Sequence, residues 1–241
     1  MKKPKILFYD IETSPNLGYV WGKYQQDVAA FKEERQLLSF AYKWQGQKTV
    51  KVVSNRNTFK TDKQLVNVLA TLLQEADIVV AHNGDNFDRK IVKTRMLYWG
   101  LKPLKINCSV DTLKAARSYF NFNGNSLNDL ARYLNLGEKL ANPGISLWIR
   151  CMEGDPKSWS LMEKYNKQDV VILEKLYDKL APWIENHPNV AKLLGKDKTL
   201  FCPLCSSVNT QKHGFRVTNQ VKQQRHICLD CGKNYLTRIE K

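Results

Sequence analysis

Residues 5–13 read K-I-L-F-Y-D-I-E-T. An apolar run flanked by Pro4 and Asp10 describes a short buried strand. Asp10 and Glu12 stand at its end, and residues two apart on a strand point to one face. Two neighbouring carboxylates repel unless a cation lies between them. A divalent ion would meet that need, although D-x-E alone also describes a pair of solvated surface acids. Outward from this strand, residues 37–44 and 49–53 predict two more, joined by a turn at Gln45, Gly46 and Gln47. T-D-K-Q from Thr61 spells a capping box for a helix carrying Leu65, Val68, Leu69 and Leu72. Residues 78–81 form a buried strand, 87–99 a helix ending at Gly100, and 106–110 another strand. Ser126 caps a helix through Leu134. Residues 135–159 hold Gly137, Pro143, Gly144, Gly154 and Pro156, which predicts a long irregular connection. Ser160 with Glu163 then caps a long helix to about Ala181. Strands that cluster first and then alternate with helices imply an α/β fold, a mixed sheet flanked by helices.

Two further segments carry chemistry. A-H-N-G-D-N-F-D, residues 81–88, runs from a buried strand through a Gly-containing turn into a helix. In α/β sheets such turns line the functional crevice; equally, Asp85 or Asp88 could cap the helix. Y-N-K-Q-D puts Tyr165 and Asp169 one turn apart on one helix face. There Tyr165 could be a core residue, and Asp169 could pair with Lys164 or Lys167. Asp111 could support the other acids from an outer position, but reads better as the N-cap of a helix starting at Thr112.

The 241 residues carry 38 Lys plus Arg against 23 Asp plus Glu, a net +15. A chain this basic meets a polyanion, with nucleic acid the first candidate. With 43% hydrophobic residues it has the means to bury a core, which excludes disorder as its main state. The opening apolar run is too short for a signal peptide, and no stretch approaches the ~18 apolar residues of a membrane helix. The expectation is a cytoplasmic protein with no membrane partner, or one of the host cytoplasm if phage-encoded.

Taken together, D-I-E after the first strand, N-G-D-N-F-D after a middle strand and Y-N-K-Q-D in a late helix resemble the DEDD exonuclease superfamily. The tyrosine places the resemblance in its DEDDy branch, which includes the proofreading domains of DNA polymerases on an RNase H-like fold. It covers roughly residues 5–180. The run D-I-E-T-S-P-N-L-G-Y-V-W-G, residues 10–22, also looks like the opening of phage or prokaryotic stand-alone RNase H-like exonucleases. The resemblance implies Asp10, Glu12, Asp88 and Asp169 as ligands of two Mg²⁺ or Mn²⁺ ions, and Tyr165 as the residue that positions the attacking water. Hard oxygen donors suit such ions rather than zinc. Two of them about 3.5–4 Å apart can activate a water and stabilise a leaving 3′ oxygen. A phenol with a reference pKa of about 10 is a poor base at neutral pH, so its part is to hold the water. Asn83 either touches substrate or braces its turn, and Asp85 is an outer or capping acid. Tyr19, Trp21 and Tyr24, with Lys23, could stack bases and meet phosphates; Trp21 could equally pack beneath a loop. The implied activity is metal-dependent 3′–5′ exonuclease hydrolysis, on DNA rather than RNA. An exoribonuclease, a structure-specific endonuclease and a silent nucleic-acid-binding protein are the alternatives.

Near residues 182–198 the pattern loosens around His187-Pro188 and Gly195. The expected organisation is a nuclease domain over 1–185, a linker over 186–199 and a small unit over 200–241. That unit holds Cys202-Pro-Leu-Cys205 and Cys228-Leu-Asp-Cys231. Two C-x-x-C knuckles present four thiolates to one ion, the donor set of a structural zinc ribbon. A redox or iron–sulfur role uses the same residues. His213 and His226 are surplus to four cysteines and read as surface residues, and Cys108 and Cys151 read as buried thiols. The ribbon resembles those of transposase-like nucleic-acid proteins. Lys212, Arg216, Lys222 and Arg225 flank the hairpin between the knuckles, as a grip on nucleic-acid backbone. A ribbon that only caps the chain end or binds protein is the alternative.

Overall fold

The computed structural model describes residues 4–24, 27–56, 61–138, 140–141, 143–196 and 201–239. Its main sheet has five strands: β1 (Ile6–Thr13), β4 (Leu37–Trp44), β5 (Lys51–Ser54), β6 (Ile78–Ala81) and β7 (Cys108–Asp111). A two-stranded hairpin, β2 (Leu17–Tyr19) and β3 (Ala30–Glu33), leaves the sheet between β1 and β4. The sheet order is β5-β4-β1-β6-β7. β1 pairs antiparallel with β4 and parallel with β6, so the sheet is mixed, as the element order predicts.

Alternation along β1 divides its side chains between two layers. Leu7, Tyr9 and Ile11 face a core completed by α1 (Lys63–Glu75) and α2 (Asp88–Tyr98). Ile6 and Phe8 face the other core, built with α3 (Thr112–Tyr119), α4 (Leu127–Tyr133) and α6 (Pro156–Leu180). Asp10 and Glu12 continue the second row, so the strand delivers both acids to the α6 side. Their register partners on β4 are Ala41 and Ser39.

Three local expectations are corrected. Residues 135–159 are not wholly irregular: α5 (Ile145–Met152) forms there, burying Leu147 and Cys151 one turn apart. The long helix begins at Pro156, not Ser160. Asp155 caps it by accepting from Ser158 N at 2.9 Å, and Pro156 occupies the first helical position, where its missing N–H costs nothing. Ser160 lies inside the first turns and donates to the Pro156 carbonyl. At α1 no capping box forms: Asp62 is the N-cap but makes no side-chain cap bond. Its carboxylate is instead fully buried and accepts from Leu37 N at 2.9 Å, Arg95 Nε and Nη2 at 2.8 Å, and Trp99 Nε1 at 2.7 Å. A strand start and two helices converge on this one charge.

Within residues 186–199, α7 (Val190–Leu193) packs Val190 into the α6-side core together with Leu204. Beyond it, β8 (Thr210–Val217), β9 (Lys222–Cys228) and β10 (Asn234–Arg238) form an antiparallel sheet in the order β10-β9-β8. Val190 N donates to Pro203 O at 2.7 Å, and the buried Lys233 ammonium donates to Ile184 O. This small unit is therefore docked on the body by apolar and polar contacts. No helix of the described residues is long and apolar enough to cross a membrane.

Candidate functional site

β1 and α6 between them assemble an acidic group. One carboxylate oxygen from each of Asp10, Glu12 and Asp169 lies within 4.8 Å of the other two. Glu12 and Asp169 are buried and Asp10 is partly so. Three carboxylates at that spacing in a water-poor site repel strongly, and a hard divalent cation is the ligand that such a donor set accommodates.

Asp88 is not one of the three. It opens α2 and is almost wholly buried, and the backbone N–H of Ile11 bonds its carboxylate. Ile11 lies between Asp10 and Glu12, so Asp88 reaches the same stretch of β1. Burial, with a smaller contribution from the charge of Asp111, pushes its pKa up to about 7. Neither Asp85 nor Asp88 caps α2; the N-cap position belongs to Phe87. Asp85 instead pairs with Arg89 at 2.5 Å and Lys114 at 2.6 Å, and these partners hold its carboxyl below the usual range against the opposing effect of burial. Asp111 caps α3 through Leu113 N at 3.0 Å, and also accepts from Asn83 N at 3.0 Å and Asp85 N at 3.2 Å. Asn83 sits at φ 65°, a left-handed conformation that asparagine tolerates. Its backbone thus braces the turn that leads to Asp88.

Two residues that the motifs did not single out hold the acids in place. Asn166, fully buried on α6, donates from Nδ2 to Asp10 Oδ2 at 2.7 Å and to Asp10 O at 3.2 Å. Its Oδ1 accepts from Ser39 Oγ at 3.1 Å, so the amide is locked in one orientation. Trp148 on α5 donates from Nε1 to Glu12 Oε2 at 3.0 Å. The Tyr165 ring meets Trp148 edge to face, with centroids 6.4 Å apart. A polar Asn within the apolar stripe of α6, and Leu147 and Cys151 at i, i+4 around Trp148, were the available signals. Asn166→Ala is expected to weaken metal binding at the acidic group by about 10–100-fold, the usual cost of losing a group that orients a ligand. Calorimetric titration with Mn²⁺ checks this, and an unchanged affinity would remove Asn166 from the site.

The aromatic candidates lie around the hairpin that follows β1. Trp21 is 93% exposed, so it does not pack beneath a loop. Tyr19 and Tyr24 are also exposed, and Lys23 Nζ lies 5.5 Å from the Tyr24 ring centroid. At the other end of the chain, one sulfur from each of Cys202, Cys205, Cys228 and Cys231 lies within 4.8 Å of the rest. The Cys202–Cys231 and Cys205–Cys228 sulfurs are each 3.6 Å apart. A tetrahedral ion with metal–sulfur bonds of about 2.3 Å separates its sulfurs by about 3.8 Å, so the cage fits a tetrahedral metal. Lys212, Arg216, Lys222 and Arg225 are all exposed on the same small sheet, with Lys222 Nζ 4.4 Å from the Phe215 ring centroid. His226 is buried and its Nε2 bonds Thr237 Oγ1 at 2.9 Å, so it is not the surface residue expected. Cys151 is buried and Cys108 half-buried.

The sequence profile of the RNase H superfamily (RNase_H_2) matches residues 7–181. A DNA polymerase III PolC-type from Ureaplasma parvum serovar 3 is 46% identical over 55 residues, 23% of this chain and 4% of that protein. The structure of the family B DNA polymerase from Pyrobaculum calidifontis superposes with a TM-score of 0.57 at 16% identity, over 75% of this chain and 25% of the polymerase. The likeness is one of fold, and the chain spans only a small part of either relative.

Proposed function

Because this chain belongs to the RNase H superfamily, we propose that it is a metal-dependent nuclease of the DEDDy type, working as a 3′–5′ exonuclease on DNA. The observation that carries the reading is the convergence of Asp10, Glu12 and Asp169 from two distant segments, with Asp88 braced beside them. These four acids would hold two Mg²⁺ or Mn²⁺ ions. Bound there, the ions supply Lewis acidity: they lower the pKa of a water and offset charge on the leaving oxygen.

The chain's own groups do the rest. Asn166 and Trp148 fix the rotamers of Asp10 and Glu12, so the acids pay little reorganisation when substrate arrives. Tyr165, one turn before Asp169 on α6, offers a phenolic hydroxyl to hold the attacking water. The exposed rings of Tyr19, Trp21 and Tyr24 would stack the terminal bases, and Asn83 at the braced turn would meet the strand. The four-cysteine cage would hold one structural zinc, and the basic unit around it would grip backbone phosphates. In domain terms, residues 1–185 carry the chemistry and 200–241 the grip, joined through 186–199. Both similar proteins are named as DNA polymerases, which favours DNA over RNA as the substrate.

The test incubates the protein with matched DNA and RNA oligonucleotides labelled at either end, with Mn²⁺ and with EDTA. A ladder of products from a 5′-labelled DNA strand, and immediate release of a labelled mononucleotide from a 3′-labelled one, is expected only with metal. Release of a short labelled 5′ fragment first would reverse the direction. Cleavage confined to RNA, or none of either, would overturn the reading.

A further inference from the structure

A cavity of about 760 Å³ lies away from the acidic group. It lies between α7 with its flanks and the small cysteine-bearing sheet. Its cationic walls are Lys192, Lys196, Arg216, Arg225, Lys233 and Arg238, and Glu185 is its one acid. Phe201 and Tyr235 add aromatic surface.

The strand register shows how three of these cations are arrayed. Arg216 on β8 and Arg238 on β10 both pair with Gln223 of β9, one from each side. Arg225 lies two residues further along β9, about 7 Å, on the same face as Gln223. The three arginines therefore share one face of the sheet, in two adjacent rows. All three are exposed, and among the described residues no carboxylate forms an ion pair with any of them. Like charges gathered on one face are unfavourable unless an anion is brought to them. Guanidinium groups suit phosphates, which they can bond bidentately. By contrast, Lys212 and Lys222 do not line the cavity. They alternate with the arginine row, in register with His226 and Val217, and the Lys222 charge rests on the Phe215 ring.

We propose that this cleft is a binding track for the phosphodiester backbone of a single strand, with Arg216, Arg225 and Arg238 contacting successive phosphates and Lys192 and Lys196 closing the opposite wall. The proposal deepens the nuclease reading by naming which face of the small unit meets the strand. It assigns Lys192, Lys196 and Arg238 to binding and withdraws Lys212 and Lys222 from direct contact. The cleft has the volume of a site for a ligand of about two nucleotides, which suits a strand passing through better than a duplex.

The full-length chain carrying Asp10→Asn, which keeps the strand intact, is titrated with a fluorescent twenty-residue oligothymidylate across a range of salt. Adding Arg216→Gln, Arg225→Gln and Arg238→Gln together is expected to weaken binding by about 10–100-fold. The slope of log K against log[salt] should fall by about two, since each lost phosphate contact on single strands removes about 0.7. Lys212→Gln with Lys222→Gln should leave the slope unchanged. An unchanged slope in the triple variant, or an equal loss in the double one, overturns the proposal. So does displacement of the strand by equimolar thymidine monophosphate, which would mark a mononucleotide site instead. Because binding is read apart from cleavage, a strand that binds here but is not hydrolysed by the unaltered chain would sink the nuclease reading and leave the track standing.

Discussion

Asp10→Asn is expected to lower metal-dependent hydrolysis by at least about 10³-fold, a loss of roughly 4 kcal/mol of transition-state stabilisation. The substitution keeps the shape and one acceptor oxygen but removes the charge. An amide oxygen is a poor ligand for a hard dication beside two carboxylates. The fold should survive, because in the metal-free protein Asp10, Glu12 and Asp169 repel one another within 4.8 Å, and the variant relieves part of that. Thermal melting therefore provides a second readout. Without divalent ions the variant should melt no lower than the parent. With millimolar Mn²⁺ the parent should gain stability by mass action and the variant should gain little. Single-turnover cleavage of a labelled strand measures the first effect. Retention of more than a tenth of the rate would remove Asp10 from the site.

The largest effect on stability is expected at Asp62, outside the acidic group. Its carboxylate has no exposure, yet it receives donors from Leu37, Arg95 and Trp99. Asp62→Ala would strand the Arg95 guanidinium, itself only 11% exposed, without a counter-charge. Breaking one side of a buried ion pair costs about 3–5 kcal/mol, which lowers Tm by on the order of 10 °C in a chain of this size. Adding Arg95→Met should recover part of the loss, because the orphaned charge is what makes the single change severe. Denaturant unfolding of the two single variants and the double variant checks this. A single-variant loss below about 1 kcal/mol would show that water reaches the cluster.

Much of the fold was legible. Ile78–Ala81 and Leu37–Trp44 are short apolar runs between turn residues, and strands of that kind advertise themselves by composition. Ser126 with Asp129 forms a capping box, a signal contained within four residues. Where local signals misled, a stronger partner was available. Thr61 with Gln64 spelled a capping box, but the Asp62 between them is drawn into the core by Arg95 and Trp99, more than thirty positions away. Gly144 and Gly154 made residues 135–159 look like a loop; they bracket α5, each at positive φ, rather than interrupt it. The hairpin of β2 and β3 left little pattern, since most of its residues face solvent.

The candidate acids could be named from their types and order, because carboxylates two apart on a strand, or one turn from a tyrosine on a helix, are short-range facts. The cysteine spacing was equally local. Which groups orient those acids was not legible: Asn166 lies 156 positions from Asp10, and Trp148 lies 136 from Glu12. Nothing periodic links such pairs. Likewise the sequence alone established that the C-terminal segment is basic, while only the strand register sorted its three arginines to one face and Lys212 and Lys222 to the other. Charge, donor type and short-range periodicity belong to the chain itself. The directions in which side chains meet across elements are set by packing, and packing exists only in the folded molecule.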